Sequence, residues 1–159
     1  MSERRLRIAI GMLSALGAGI AGYLAVVKLS GGSPVCSTGG CDTVQSSRYS
    51  ELLGVPVAVL GLVGYLVILG TALARGELAR TVGAVAGVAG AAFAAYLLCL
   101  QLGPIGAVCQ WCVASDVVIA ALAVLTFIRA SRAPVPGPPA APRAAGRRGR
   151  APRPAARAR

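Results

Sequence analysis

Four apolar stretches, each long enough to cross a bilayer, constrain this chain more than anything else in it. They run approximately from Leu6 to Leu29, Val55 to Ala74, Leu78 to Leu102 and Val108 to Ile128. A helix needs about 20 apolar residues to cover ~30 Å of hydrocarbon. With 56% hydrophobic residues and a mean hydropathy of +0.73, the 159-residue chain does not suit a soluble domain. The first stretch follows Arg4, Arg5 and Arg7, as a signal peptide would. Its apolar run far exceeds the roughly 7–15 residues of a signal core, so it reads as an anchor. The expected fold is an all-α integral membrane protein: a four-transmembrane-helix bundle over residues 1–129, then a Pro/Ala/Arg-rich tail over 130–159.

Charge sets the expected topology. With four spans, both termini and the connection between the second and third helices share one side. That side carries Arg4, Arg5, Arg7, Arg75, Arg80, Arg129, Arg132 and the seven tail arginines, 14 of the 16 basic residues. The other side holds only Lys28 and Arg48. The positive-inside rule places both termini in the cytoplasm, with or without the tail in the count. The loop holding Cys36 and Cys41 and the turn holding Cys109 and Cys112 then lie together on the outer, extracytoplasmic face. Disulfides persist on that side.

Cys109-Gln110-Trp111-Cys112 stands at the mouth of the last apolar segment, after the turn signal Gly103-Pro104-Ile105-Gly106. Residues three apart share a helix face, which brings the two thiols within disulfide reach. A helix N-terminus favours a thiolate, and C-x-x-C thiols are commonly acidified. In the outer loop, Cys36 and Cys41 flank a Gly39-Gly40 turn and can close a small ring. Such a ring constrains little chain entropy, so it is a weak staple and a good candidate for an exchangeable bond. Asp42 and Gln45 have the spacing of a capping box, predicting a short lid helix to about Leu53. Gly54 would stop that helix, and Pro56 would sit in the first turn of the next.

Two readings from different classes compete for the four cysteines. One is thiol–disulfide exchange at a membrane surface. The other is a non-enzymatic membrane assembly protein with structural disulfides or a zinc site made of all four cysteines, four thiolates being the number such a site takes. The oxidising compartment, the absence of His and the five-residue spacing of the first pair favour redox exchange.

Cys36-x4-Cys41, Asp42-Thr-Val-Gln-Ser-Ser47, Gly54-Val-Pro56-Val-Ala-Val-Leu-Gly61 and Cys109-x-x-Cys112, in that order over residues 8 to 128, resemble the bacterial branch of the vitamin K epoxide reductase family. The resemblance implies a four-helix bundle around a quinone (menaquinone or ubiquinone) and a membrane thiol:quinone oxidoreductase that supports extracytoplasmic disulfide formation. It implies that Cys112 lies next to the quinone, that Cys109 exchanges with Cys41, and that Cys36 takes electrons from a reduced thioredoxin-fold partner. Ser47 matches the family's loop Ser/Thr beside the active site. Many bacterial relatives carry a fused thioredoxin domain. Here the chain after Ile128 is a tail, so the expected partner is a separate, DsbA-like protein. Motif order argues against the DsbB scaffold, where C-x-x-C precedes the loop pair.

Asp116, one turn past Cys112, stands where the animal enzymes carry a tyrosine. It is either an acid favoured by the helix dipole or a proton donor or acceptor for quinone reduction. Gln101, near the outer end of the third helix, could hydrogen-bond a quinone carbonyl or reach to water. Cys99, among Leu97, Leu98 and Leu100, reads as a small buried hydrophobe. Gly11, Gly17, Gly19 and Gly22, and Gly83-x-x-x-Gly87, read as close-packing positions between helices. The tail, with seven prolines, eight arginines and no acid, reads as disordered. Its expected contact is with anionic lipid. Nucleic acid is not expected, since the tail has no stacking aromatics.

Overall fold

Four long helices stand where the apolar runs do in this computed structural model, which describes residues 2–37 and 39–132. In chain order the elements are α1 (Glu3–Leu29), a short α2 (Cys41–Ser46), a 3-10 turn (Arg48–Ser50), strands β1 (Glu51–Leu52) and β2 (Val55–Pro56), α3 (Val57–Leu73), α4 (Glu77–Leu100), a π-helical turn (Gln101–Ile105) and α5 (Gln110–Ser131). Three of these, α1, α4 with its π turn, and α5, are long and apolar enough to cross a membrane; α3, at 17 residues, is shorter. The architecture is that of an all-α membrane protein. The tail expected from residue 130 lies outside the described residues from position 133 onward.

The helices form a ring: α1 packs on α3 and α5, and α4 packs on α5 and α3. Leu6, Ile10, Tyr65, Ile68, Ile119 and Leu122 fill its centre. Small residues set how closely the helices approach. A Cβ on Gly17 would overlap the ring of Tyr65, and one on Gly87 would meet Thr126 and the backbone of Ala123. Gly83 likewise lies against Thr71. Gly19, by contrast, faces open space. Without a hydrophobic driving force between helices in lipid, such close contact is the main source of attraction.

At the end of the bundle that holds both α1's first turn and α5's last, three guanidinium groups finish the fold. Arg7 donates to the carbonyls of Ala72 (2.7 Å) and Leu73 (2.6 Å) at the C-terminus of α3. Arg129, buried, donates to the carbonyls of Thr71 (2.7 Å) and Ala74 (3.2 Å) and pairs with Glu3 at 3.1 Å. Arg80 approaches the same Glu3 carboxylate at 3.7 Å. The last carbonyls of a helix have no partner within it. α3 is the shortest of the four long helices, and arginines borrowed from α1 and α5 supply the missing donors.

The opposite end is closed by the loop between α1 and α3. Its helix is shorter than the sequence predicts: it ends at Ser46 rather than near Leu53. The capping box does not form either, because Gly40 is the N-cap and Asp42 instead accepts the Ser33 hydroxyl at 2.8 Å. Beyond it the chain makes a β-hairpin in which Glu51 faces Pro56 and Leu52 faces Val55. Leu53 and Gly54 form its two-residue turn with φ of 53° and 79°. A tight hairpin turn of this kind needs positive φ at both positions, so Gly54 serves a hairpin rather than a helix stop. Pro56 closes β2 and caps α3 instead of lying in its first turn. Lys28, the only lysine, ties this lid to the end of α1 through the Gln45 carbonyl (2.6 Å), Ser50 Oγ (3.0 Å) and Glu51 (3.3 Å).

Candidate functional site

Four of the five cysteines gather under the lid. Cys36 and Cys41 are joined as a disulfide, while Cys109 and Cys112 are free thiols. Cys41 and Cys109 have no solvent exposure and share one cluster with Val44, against which Cys36, Ile105, Trp111 and Cys112 pack. Cys36 is half-buried. The close approach depends on Gly40, since a Cβ there would overlap the Val108 backbone just ahead of the C-x-x-C. The loop beside Cys36 is also strapped to its neighbours. Tyr23 accepts the Val35 N–H (3.0 Å), Trp111 donates to the Val35 carbonyl (2.7 Å), and Gln110 accepts from the Ser37 hydroxyl (2.6 Å). Tyr23 and Trp111 lean on each other with ring centres 5.1 Å apart.

Cys109 is the N-cap of α5 and precedes that helix. Its sulfur accepts the Cys112 N–H at 3.3 Å. Hydrogen bonding from the Cys112 thiol, helped by backbone N–H groups, holds the Cys109 thiol below its ordinary range, at about 7, against the opposing effect of burial.

One turn further on, Cys112 lines a partly open cavity of about 220 Å³ between the helix ring and the lid. Leu24, Ala58, Leu60, Phe93, Leu97 and Ile119 make its walls largely apolar. Ser47, Gln101, Tyr65, Ser115 and Asp116 bring polar groups to it. Ser47 is at the lid edge, its hydroxyl donating to the Val44 carbonyl at 2.8 Å. Asp116 Oδ2 is buried without a hydrogen-bond partner. A buried acceptor left unsatisfied by the protein is one a ligand can satisfy.

The structure thus brings all seven residues singled out from the sequence to one end of the bundle, around one cavity and one sulfur cluster. Gln101 does not reach to water: it is 2% exposed, and its carboxamide oxygen accepts the Cys109 N–H at 2.8 Å. Cys99 is not the buried hydrophobe expected; it is exposed on the outer face of α4, away from the sulfur cluster. Tyr65, whose hydroxyl bonds Ser115 Oγ (2.8 Å) and the Ser115 carbonyl (2.9 Å), is not singled out by the sequence. Its one signal is a tyrosine in the middle of a helix whose only other polar side chain is Thr71. Gln110 is not singled out either, because nothing local distinguishes it from a surface polar residue.

A sequence model of the vitamin K epoxide reductase family matches residues 8–127, about three quarters of the chain. That span contains both cysteine pairs, the lid, Gln101 and Asp116. The chain belongs to the vitamin K epoxide reductase family of membrane oxidoreductases.

Proposed function

We propose that this protein carries electrons from a separate thioredoxin-fold (DsbA-like) dithiol protein through Cys36–Cys41 to Cys109 and Cys112, and on to a membrane quinone, menaquinone or ubiquinone. The observation that carries this reading is the graded placement of the four sulfurs. Cys36 is partly accessible, Cys41 and Cys109 are sealed together, and Cys112 lines the cavity. On this reading all four long helices cross the membrane, the arginine-rich end lies in the cytoplasm, and the sulfur cluster faces the extracytoplasmic side, in keeping with the charge asymmetry.

A partner dithiol reduces Cys36–Cys41 and leaves oxidised. The Cys41 thiolate attacks Cys109 of an oxidised Cys109–Cys112 pair, forming Cys41–Cys109 and releasing Cys112. Cys36 then attacks Cys41, restoring Cys36–Cys41 and leaving Cys109 and Cys112 reduced. The bonding pattern described above, with the loop pair oxidised and the C-x-x-C reduced, corresponds to the end of that sequence. A bound quinone supplies the acceptor for two electrons and two protons. The cavity suits its head: the walls are apolar, and Gln101 and Asp116 offer polar groups to ring oxygens. Asp116, one helical turn from Cys112, holds or passes the proton that leaves as the disulfide forms. Ser47 keeps the lid edge folded against the cavity.

Cys36→Ala tests the relay. It is expected to stop quinone reduction driven by a thioredoxin-fold donor while sparing reduction driven by a small dithiol such as dithiothreitol, followed by quinol absorbance. Equal loss with both donors would sink the division of labour between the pairs. Turnover by neither donor in the unaltered protein would favour the structural reading of the cysteines. Asp116→Asn removes the ionisable group with little change of shape. Its expected result is about a hundredfold slower quinone reduction, with exchange from the protein donor unchanged in stopped-flow assays.

A further inference from the structure

Gln101 organises the whole segment that leads into the C-x-x-C. Its backbone carbonyl accepts the N–H of Gly106 and, at 3.2 Å, the N–H of Ala107. Its side-chain oxygen accepts the N–H of Cys109 at 2.8 Å. Three of the four N–H groups from Gly106 to Cys109 therefore end on this one residue. Gln101 is itself the first residue of the π-helical turn, a wider turn that breaks the regular ladder at the end of α4. Gly106, with φ of 65°, reverses the chain immediately after it. The side chain is 2% exposed and also lines the cavity.

We infer that Gln101 is a positioning residue for Cys109: its carboxamide oxygen anchors the Cys109 N–H so that the sulfur is presented between Cys41 and Cys112. Cys109 has to serve two partners in turn, one in the loop and one a helical turn away. At this N-cap the Cys109 carbonyl joins the helix ladder by accepting the Val113 N–H at 3.0 Å, but the N–H has no partner within the helix, so its direction depends on what it finds outside. Here that N–H is buried, and leaving it unpaired would carry the full desolvation penalty. The opposite, N–H2 end of the same carboxamide is the end available to a ring oxygen in the cavity, so one side chain joins the thiol to the quinone pocket. This role rests on the relay proposed above and assigns to Gln101 a task distinct from ligand contact.

The test reads exchange between Cys41 and Cys109 without any quinone. In a Cys99→Ala, Cys112→Ser background, Cys109 attacks Cys41 and the released Cys36 thiol is captured by a maleimide, giving the rate of Cys41–Cys109 formation by mass spectrometry. Adding Gln101→Met, which keeps the volume but removes the amide acceptor, is expected to slow that rate about tenfold and to shift its pH profile. Adding Gln101→Glu instead keeps an acceptor oxygen and is expected to restore the rate to within about twofold, while raising the quinone KM in the four-cysteine protein because the N–H2 group is gone. An unchanged rate in Gln101→Met would overturn the inference, as would Gln101→Glu being as slow as Gln101→Met. Where Gln101→Met does not fold, as judged by melting and circular dichroism, Gln101→Glu alone decides: a tenfold slower exchange overturns the role, and a near-normal rate with raised KM supports it. If no Cys41–Cys109 bond forms even with Gln101 in place, the relay itself falls, and this role with it.

Discussion

Cys112→Ala is expected to reduce quinone-linked turnover by about 10³-fold or more, with either a protein or a small dithiol as donor. On the proposed relay, two electrons leave the protein as one bond forms between the Cys109 and Cys112 sulfurs, and the remaining free cysteine, Cys99, is exposed and outside the sulfur cluster. Cys109 would still exchange with Cys41, so the variant should accumulate a mixed disulfide rather than lose its reactivity. The fold should persist, because Cys112 is only partly buried and the Cys36–Cys41 bond is untouched. Cys99→Ala provides the control: exposed on the outer face of α4, Cys99 should be dispensable. Turnover by Cys112→Ala at the rate of the unaltered protein would end the assignment of this pair as the electron exit.

Arg129→Leu is expected to destabilise the fold by about 3 kcal/mol, measured by thermal or denaturant unfolding in detergent. The guanidinium binds the Thr71 and Ala74 carbonyls and the Glu3 carboxylate at once. Leucine would fill the space but leave two carbonyls at the end of α3 without donors. Arg129→Lys should recover only part of the loss, since an ammonium is a point donor and cannot span the same fork. Glu3→Gln should cost much less, because the carboxylate is 41% exposed and its pairing is screened by solvent. A stability change in Arg129→Leu no larger than in Glu3→Gln would show that the carbonyl contacts are not what hold α3 in place.

Much of the candidate site is legible in the sequence. The C-x-x-C at a helix mouth and the Cys36/Cys41 ring are local patterns, and local geometry brings each pair together. The lid is half legible: a helix starts near Cys41, but Leu53-Gly54 makes a hairpin turn, a choice decided by pairing of Glu51 and Leu52 with Val55 and Pro56. The capping box fails for a related reason, as the Asp42 carboxylate is taken by Ser33 across the loop.

By itself the sequence determined where the long helices run, the order of the motifs and the end of the bundle at which each charge and sulfur stands. Only the tertiary structure decided which face each helix turns inward. It exposed Cys99, buried Arg129 against α3 and turned Gln101 back onto Cys109. The reason is physical. In a soluble protein the apolar stripe of a helix marks its buried face, but lipid is as apolar as a helix interior. Hydropathy in such a chain reports length and not rotation, so the inward face is chosen by close packing at residues such as Gly17 and Gly87 and by hydrogen bonds between residues far apart in sequence.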